Sequence, residues 1–492
     1  MNSIKQLARQ TAVYGMGTIV PRFLNYALMT PFYTRIFKNM TGYGVITEMY
    51  AYMAILLIIL TYGMETSYFR HTSDPKINKR DVYDTSMTLL FTTSTIFIFI
   101  MMFFTNKIAS VLEYPNHPEY IRMFVIIVGI DAFTAIPFAR LRMENKAFKF
   151  AMIKIINVLV IISTAFFLLY FSPKFIQNHP GTILNNYFPG SVQVKSVFVA
   201  NLLGSLVTLI LLIPLIFKTK LRININLLKK LLWYAFPLLL AGFFGVLNDS
   251  FDKAAYKYLL PHDKNVMVEL GIYGANFKIA VLMGLIIQMF RYAAEPFFFS
   301  KANKENAKNL YARVMNYFVF FCLIIFLGIT FNLSVIRWLI PEQYWTALNV
   351  IPILLFSYIF YGIFVNLSVW YKLNDLTKYA ALLTFCGAVV TIFINIKFVP
   401  IYGYYASAWG HFFAYLLMIL ISWLLGRKFY KISYQVGKIV LYTGLAFLLF
   451  LLGQYFIGFG KVKGLLLNNF ILLLFVSLLY FREIKGKLAE FN

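Results

Sequence analysis

The sequence predicts an all-α, polytopic membrane protein with about fourteen transmembrane helices, and three observations lead to this prediction. Of its 492 residues, 60% are hydrophobic and only 13% are charged, against about 25% charged residues in soluble domains. Apolar segments of about 20 residues, the length that crosses a hydrocarbon core about 30 Å thick, recur along the whole chain. Basic residues cluster in alternate connections between these segments. No stretch remains for a sizeable soluble domain.

The apolar segments form two series of spans. The first lies at about 11–34, 43–68, 83–106, 118–139, 150–171 and 193–217. The second lies at about 231–258, 269–298, 314–335, 346–371, 377–398, 401–425, 439–459 and 464–481. We therefore expect an N-lobe of six helices (1–217), a cytoplasmic linker (218–230), a C-lobe of six helices (231–425), and two extra C-terminal helices with a cytoplasmic tail (426–492).

The basic residues predict the orientation. The formal net charge is +26, but the 45 Lys and Arg residues lie in short clusters between apolar segments, so we expect no nucleic-acid partner. Alternate connections carry 28 of them on one side and 12 on the other, and five lie elsewhere. Because basic residues are retained on the cytoplasmic side, this split predicts an even number of spans with both termini in the cytoplasm.

A constant spacing relates the second span to the eighth. The matching residues are Tyr43 and Tyr273, Gly44 and Gly274, and Glu65 and Glu295, each pair 230 positions apart. A shared offset across three residues indicates a duplicated segment. Because six spans return the chain to its starting side, the two lobes are predicted to be parallel, pseudo-symmetric repeats.

Arg22 lies about halfway through the first span. In a helix it shares one stripe with Gly15, Thr18 and Asn25, and this stripe is more polar than a lipid-facing surface. An ionisable side chain at the centre of a span costs about 2.5 to 3.5 kcal/mol on insertion scales and needs a partner or a water-filled cavity. We predict that this face lines a cavity.

The seventh span repeats the pattern. Asp249, Asp252 and Lys253 share one stripe, and Asp249 and Lys253, at positions i and i+4, are expected to form an ion pair. Both acids are also candidates for binding a coupling ion, H⁺ or Na⁺. The first span of each lobe is therefore predicted to be its polar, cavity-facing helix.

The eighth span carries Lys278 and, on another face, Arg291 with Glu295. Arg291 and Glu295 could form a purely structural pair, and this alternative stays open. Glu65 and Glu295 lie near the cytoplasmic ends of their spans and are expected to pair with loop arginines.

Four further charged residues lie within spans. Glu48 begins the second span and Asp131 lies midway along the fourth. Either could take up a coupling proton or cation, and a buried structural acid fits the pattern equally well. Arg122 and Lys154 lie near span ends and are interpreted as interface anchors.

No catalytic or metal-binding pattern is present. The five histidines are dispersed without metal-ligand spacing, and the two cysteines lie in separate apolar segments. Neither a phosphate-binding loop nor a nucleophile elbow occurs. We therefore expect no enzymatic activity, no cofactor and no metal site.

Several segments resemble a known family. They are Asn248-Asp249-Ser250-Phe251-Asp252-Lys253, Glu269-Leu270-Gly271-Ile272-Tyr273-Gly274-Ala275-Asn276, Ala294-Glu295-Pro296, Tyr14-Gly15 and Thr41-Gly42-Tyr43-Gly44. Together with the fourteen spans, they are similar to polysaccharide biosynthesis proteins of the Wzx flippase type, in the multidrug/oligosaccharidyl-lipid/polysaccharide (MOP) exporter superfamily. Lys253 stands where the family often has arginine, which keeps the charge but loses the bidentate fork.

The resemblance implies a fold of the MATE and MurJ type, with two lobes alternating around a central cavity in the bacterial inner membrane. The implied substrate is an undecaprenyl-diphosphate-linked oligosaccharide, moved to the outer leaflet for surface polysaccharides such as the O-antigen of lipopolysaccharide. Membrane lipids and other polysaccharide-assembly proteins are implied partners. Arg22 and Arg291, supported by Lys253 and Lys278 with Asn25 nearby, would hold the diphosphate. The last two spans would shelter the lipid tail.

Three alternatives remain. A multidrug or cation antiporter of the same superfamily needs buried acids for cationic drugs, whereas this cavity mixes acids with basic residues. A flippase for the peptidoglycan precursor lipid II differs only in its sugar substrate. A membrane glycosyltransferase, polymerase or ligase would need a large outer loop with catalytic groups, and the sequence has none.

Overall fold

The fold is that of a helical membrane protein. The computed structural model describes residues 17, 19–179, 188, 190–217, 219–261, 265–301, 306–374, 376–457 and 460–485, which contain no β-strand. Within these ranges, 13 helices are long and apolar enough to span a membrane. The first predicted span lies partly outside the described residues, as do Gly15 and Thr18 of its polar stripe. The prediction of an all-α protein with about fourteen spans is confirmed.

The main helices are numbered in chain order, beginning with the short helix α1. The N-lobe contains α1 (Thr30–Ile36), α2 (Met40–Thr61), α3 (Lys79–Phe103), α4 (Pro118–Met143), α5 (Ala147–Phe166) and α6 (Lys195–Ile216). The C-lobe contains α7 (Ile225–Leu259), α8 (Val266–Lys301), α9 (Ala307–Phe331), α10 (Val350–Leu367), α11 (Lys378–Tyr402) and α12 (Tyr404–Phe429). Two further helices are α13 (Val436–Ile457) and α14 (Lys461–Leu479). Short helices at Met64–Thr72, Thr105–Val111, Ser172–Asn178, Leu333–Ile336 and Val369–Leu373 extend or connect them.

The first helix is interrupted at its centre. Residues 19–24 are helical, Asn25–Met29 form a wide π turn, and α1 continues from Thr30. Pro31 has no N–H to donate, and its ring crowds the carbonyl four residues earlier, which favours the wider turn. Such π turns are frequent at functional sites.

The two lobes pack their helices in the same way. In the N-lobe, α2 and α3 contact α4, and α6 contacts both α4 and α5; in the C-lobe, α8 and α9 contact α10, and α12 contacts both α10 and α11. The helical segment before α1 contacts α5, as α7 contacts α11. The order of contacts therefore repeats after six helices, as expected for a duplicated lobe.

An ion pair repeats at the same offset. Glu65 pairs with Arg142 in the N-lobe, and Glu295 pairs with Lys372 at 2.6 Å in the C-lobe. Arg142 and Lys372 are 230 positions apart, the same offset as their partners. The prediction of an arginine partner is confirmed for Glu65, although Arg142 lies in the last turn of α4 and not in a loop. For Glu295 the close partner is a lysine, and Arg291 lies farther away, at 3.9 Å.

The two ends of the bundle differ in charge. We call the end with the connections after Thr72, Met143 and Ile216 the basic end, and the end with the connections after Ile36 and Phe103 the opposite end. The basic end carries the clusters that predict a cytoplasmic location.

The chain between the lobes is fixed to the N-lobe at the basic end. Asp84 on α3 accepts a hydrogen bond from the Lys220 backbone N–H at 3.2 Å and lies 3.6 Å from the Arg222 guanidinium. Asn224 donates its backbone N–H to Thr85 at 3.3 Å, and its side chain caps α7. Helix α7 thus begins at Ile225, within the range predicted as linker.

Helices α13 and α14 lie beside the lobes. They pack on each other and on α9, through ring contacts such as Phe320 with Tyr442 and a hydrogen bond from Asn332 to Asn469 of 3.1 Å. Their other faces expose large apolar side chains, including Leu448 and Phe470, which suits contact with lipid tails.

Candidate functional site

The lobes approach most closely at the opposite end, where the duplicated helices α2 and α8 cross. A Cβ atom at Gly44 would overlap the Met267 carbonyl, with its carbon at 2.9 Å; a Cβ at Gly271 would overlap the Met40 carbonyl, with its carbon at 3.1 Å. Only glycine permits this backbone contact, which is the small-residue packing common between membrane helices. The glycine motifs that revealed the duplication therefore form part of the contact between lobes.

A buried ion pair lies beside this crossing. The Lys257 ammonium on α7 is 3.1 Å from the Glu48 carboxylate on α2, and it also donates to the Leu112 carbonyl. Tyr52 donates to Glu48 at 2.9 Å, and Tyr114 donates to its other oxygen. Burial raises the pKa of the Tyr114 hydroxyl, which keeps it a donor. Glu48, predicted as an ion-coupling candidate, is thus held by a lysine and two tyrosines.

Further contacts join the lobes at the opposite end. The Arg35 guanidinium donates to the Leu339 carbonyl at 2.8 Å and to the Trp338 carbonyl at 2.6 Å. Gln343 donates to the Lys38 carbonyl at 3.3 Å. These contacts, with the ion pair and the glycine crossing, hold the lobes together at this end.

Two basic side chains lie midway along the boundary between the lobes. The Arg22 guanidinium donates to the Gln288 side chain on α8 at 2.9 Å, and the Lys278 ammonium on α8 lies 4.3 Å from the centre of the Tyr26 ring. Neither has a carboxylate within ion-pair distance among the residues that the structure describes. The first span and the eighth thus meet through cations whose charge has no acidic partner within the described part of the chain.

The other predicted members of the diphosphate site have different surroundings. Asn25 is half-buried in the π turn, one turn after Arg22. Arg291 lies 3.9 Å from Glu295, which fits the structural-pair alternative. Lys253 is buried inside the C-lobe, 3.7 Å from the centre of the Phe277 ring, so its charge is not directed to the boundary between the lobes.

The N-lobe contains a polar group behind Arg22. Asp131 on α4 accepts a hydrogen bond from Ser205 on α6 at 2.8 Å. The Lys154 ammonium on α5 lies 3.9 Å from the centre of the Phe138 ring and within electrostatic range of Asp131 and Arg22. The interpretation of Lys154 as an interface anchor was wrong, since its side chain points into the lobe.

The C-lobe contains a buried network around Asp252. Its carboxylate accepts hydrogen bonds from Lys253 at 2.9 Å and from Tyr273 at 2.7 Å, and it lies 3.0 Å from His411 Nε2 on α12. The predicted side-chain pair of Asp249 with Lys253 is wrong: Lys253 donates instead to the backbone carbonyl of Asp249 at 2.6 Å. His411 was not predicted, because it lies 159 positions from Asp252.

Asp249 differs from the other predicted acids. It is half-buried, and its carboxylate has no hydrogen-bond or ion-pair partner among the described residues. Tyr358, Tyr361 and Tyr415 lie within its electrostatic range. Of the four acids predicted for ion coupling, Asp249 is therefore the one whose carboxylate has neither a hydrogen-bond nor an ion-pair partner within the described ranges.

Fold and site define a polytopic membrane protein of two duplicated lobes that are closed at one end. Midway along their boundary lie two cations that have no acidic partner in the described part of the chain. The family described as polysaccharide biosynthesis protein matches residues 35–174. No curated protein sequence matches the chain.

Solved structures show the same fold. A lipid II flippase MurJ in an inward closed conformation has 16% identity and a TM-score of 0.71, with 95% of this chain and 99% of that chain covered. An inward-facing MATE family transporter of the MOP superfamily has 13% identity and a TM-score of 0.66, covering 86% and 99%. The MATE transporter ClbM, in complex with Rb⁺, has 13% identity and a TM-score of 0.54, covering 85% and 94%. The predicted resemblance to polysaccharide biosynthesis proteins is confirmed over residues 35–174, and the predicted fold of the MurJ and MATE type is confirmed by these structures.

Proposed function

We propose that this protein is a flippase that moves an undecaprenyl-diphosphate-linked oligosaccharide from the inner to the outer leaflet of a bacterial inner membrane. Its lobes alternate between a form open at the basic end, in the cytoplasm, and a form open at the opposite end. The chain performs no covalent chemistry in this proposal. Its termini lie in the cytoplasm, and the assembly proteins of a surface polysaccharide, such as the O-antigen, supply and receive the substrate.

One observation carries the proposal: Arg22 and Lys278 lie at the boundary between the lobes without a carboxylate partner among the described residues. A cation is costly in a membrane interior unless a counter-charge or water satisfies it. A diphosphate supplies such a counter-charge, and the guanidinium of Arg22 can bind two of its oxygens at once. The amide of Gln288 would then be exchanged for the substrate.

Two other functions are possible for this fold. A lipid II flippase would use the same diphosphate contacts. The lipid II flippase structure covers 95% of this chain, which supports this function as the second candidate. A multidrug antiporter would bind cationic drugs through free acids at the boundary. The described residues place cations there instead, which favours an anionic substrate.

Asp249 is the proposed site of ion coupling. Its carboxylate is half-buried and has no ion-pair partner within the described ranges, whereas Asp252 and Glu48 are each held by a lysine. A carboxylate with free lone pairs can take up H⁺ or Na⁺ and release it when the lobe is exposed to the other side.

The test measures the leaflet location of the lipid-linked oligosaccharide in cells with Arg22→Ala. Loss of one charge-assisted contact costs about 1.5–3 kcal/mol, so export is expected to fall by a factor of about ten to 150, with the lipid-linked oligosaccharide accumulating in the inner leaflet. Arg22→Lys should retain part of the activity. Arg122→Ala is the matched control, because Arg122 is an exposed residue near the start of α4.

The outcomes separate the alternatives. Normal surface glycan with Arg22→Ala, at normal protein levels, would refute the proposal. Accumulation of lipid II, with unchanged surface polysaccharide, would support the peptidoglycan flippase. Unchanged glycans with increased sensitivity to cationic drugs would support the antiporter.

A further inference from the structure

A cavity lies in the N-lobe at the basic end, lined by residues of that lobe and of the chain between the lobes. Its volume is about 690 Å³, within the range of about 300–1,000 Å³ that is typical of small-molecule sites. It is lined by residues of Met64–Thr72, the start of α3, the end of α4 and the chain after α6. Four separate segments therefore converge on it.

Basic side chains outnumber acidic ones in its lining. Lys79 and Arg80 come from the start of α3, Arg140 from the end of α4, and Lys220 from the chain between the lobes. Charges that the sequence places in three different connections thus converge on one cavity. Their number is typical of a site for an anion.

The two acids in the lining are already neutralised. Glu144 accepts hydrogen bonds from Arg140 and Lys146, each at 2.6 Å. Partial burial raises the pKa of Glu144, but these two bonds outweigh it and lower the pKa below its ordinary value. Asp84 is engaged by Arg222 and by the Lys220 backbone N–H. Neither acid is within ion-pair distance of Lys79 or Lys220 among the described residues, and Asp84 lies 4.0 Å from Arg80.

Three cations in the lining can still bind an anion. The ammonium groups of Lys79 and Lys220 have no carboxylate partner within the described ranges, and Arg80 lies 4.0 Å from Asp84 with 61% of its side chain exposed. Ammonium and guanidinium donors around one space match the oxygens of a phosphate group.

Exposed apolar side chains border the cavity. Phe217, which lines it, is 83% exposed, and Leu221 in the adjoining chain is 70% exposed. Large apolar groups beside basic ones, at the end of a membrane-spanning bundle, are typical of the lipid headgroup layer. The anion is therefore expected to belong to a lipid, with its acyl or prenyl chain beside Phe217.

We propose that this cavity binds the phosphate-bearing headgroup of a lipid in the leaflet at the basic end. Two kinds of lipid have this chemistry: bulk anionic phospholipids and the diphosphate of a lipid-linked sugar. The site is independent of Arg22 and Lys278, and lipid binding to it does not depend on transport.

The experiment is lipid titration of the purified full-length protein, followed by native mass spectrometry. The probes are phosphatidylglycerol, undecaprenyl diphosphate, inorganic phosphate and, as a lipid without phosphate, diacylglycerol. The cavity variant combines Lys79→Gln with Lys220→Gln. The matched control combines Lys76→Gln with Lys229→Gln, which removes the same charge at the same end outside the cavity.

The cavity variant is expected to bind the phosphate lipids about fivefold more weakly per removed charge, while the control binds as the wild type does. Equal binding of phosphatidylglycerol and undecaprenyl diphosphate supports a general headgroup site. Preference for undecaprenyl diphosphate supports a site for the lipid-linked sugar. Inorganic phosphate or diacylglycerol binding as tightly as the phosphate lipids would overturn the proposal, as would equal effects of the cavity and control variants.

Discussion

Gly44→Ala is expected to open the contact between the lobes at the opposite end. The new Cβ would lie 2.9 Å from the Met267 carbonyl carbon and would overlap the oxygen, whereas real Cβ atoms essentially never come within 3.0 Å of another heavy atom. The obstacle is backbone, so no side-chain rotation can relieve it. Because the spacing of packed helices of about 8–10 Å depends on the side chains at the contact, α2 and α8 must separate by about 1 Å.

The energetic effect follows from overpacking, which costs about 1–3 kcal/mol in close-packed interiors. The closed form bears this cost and the form open at the opposite end does not. The equilibrium should therefore shift towards the open form by a factor of about five to 150. Gly328→Ala is the control, because its Cβ would meet nothing within 4 Å.

The assay is pulsed electron–electron resonance between spin labels at Val111 and Val335. Both are exposed, and they flank the opposite end on the N-lobe and the C-lobe. The labels are attached to cysteines in a chain with Cys322 and Cys386 replaced. A longer-distance population should grow in Gly44→Ala and stay unchanged in Gly328→Ala. An unchanged distance distribution in a folded Gly44→Ala protein would show that the glycine contact does not set this equilibrium.

Two further predictions concern the buried charges. Lys257→Met leaves Glu48 without its lysine and should destabilise the closed protein by about 3–5 kcal/mol, which is measured as a lower midpoint of thermal unfolding in detergent. Adding Glu48→Gln should restore most of the lost stability. If the double variant is no more stable than Lys257→Met, the ion pair is contradicted. Asp252→Asn should lower the midpoint of thermal unfolding, because it breaks the network with His411. Asp249→Asn should leave this midpoint unchanged and remove the dependence of transport on pH or Na⁺. Equal midpoints for the two variants would contradict this distinction.

The helices and the duplication could be predicted because both depend only on the order of residues along the chain. The length of an apolar run fixes whether it can cross the bilayer, and the offset of 230 positions between Glu65 and Glu295 is visible in the sequence. The same offset between Arg142 and Lys372 completes the pattern. It could have been found from the sequence, if loop residues had been compared as well as spans.

The contacts of the charged residues could be predicted only in part. Helical spacing places Asp249 and Lys253 on one face. The Lys253 side chain, however, turns towards α8, where its ammonium group lies against the Phe277 ring. Lys154 lies close to the start of α5 in sequence, yet its side chain is drawn inward by Phe138. His411 meets Asp252 only because α12 packs beside α7. Such pairings depend on which helices become neighbours, and no periodicity encodes that choice.

The attachment of the interlobe chain to α3 indicates where the lobes would pivot in the proposed alternation. The chain from Lys220 to Asn224 is hydrogen-bonded to the N-lobe, and so is the start of α7, where Ser67 donates to the Leu231 carbonyl at 2.8 Å. The later part of α7 is bound to the C-lobe, since Asn248 accepts a hydrogen bond from Thr391 on α11. We therefore expect α7 to bend near Pro237, which has no backbone N–H to donate. Helix α7 therefore consists of two segments, one bound to each lobe, which are joined at Pro237.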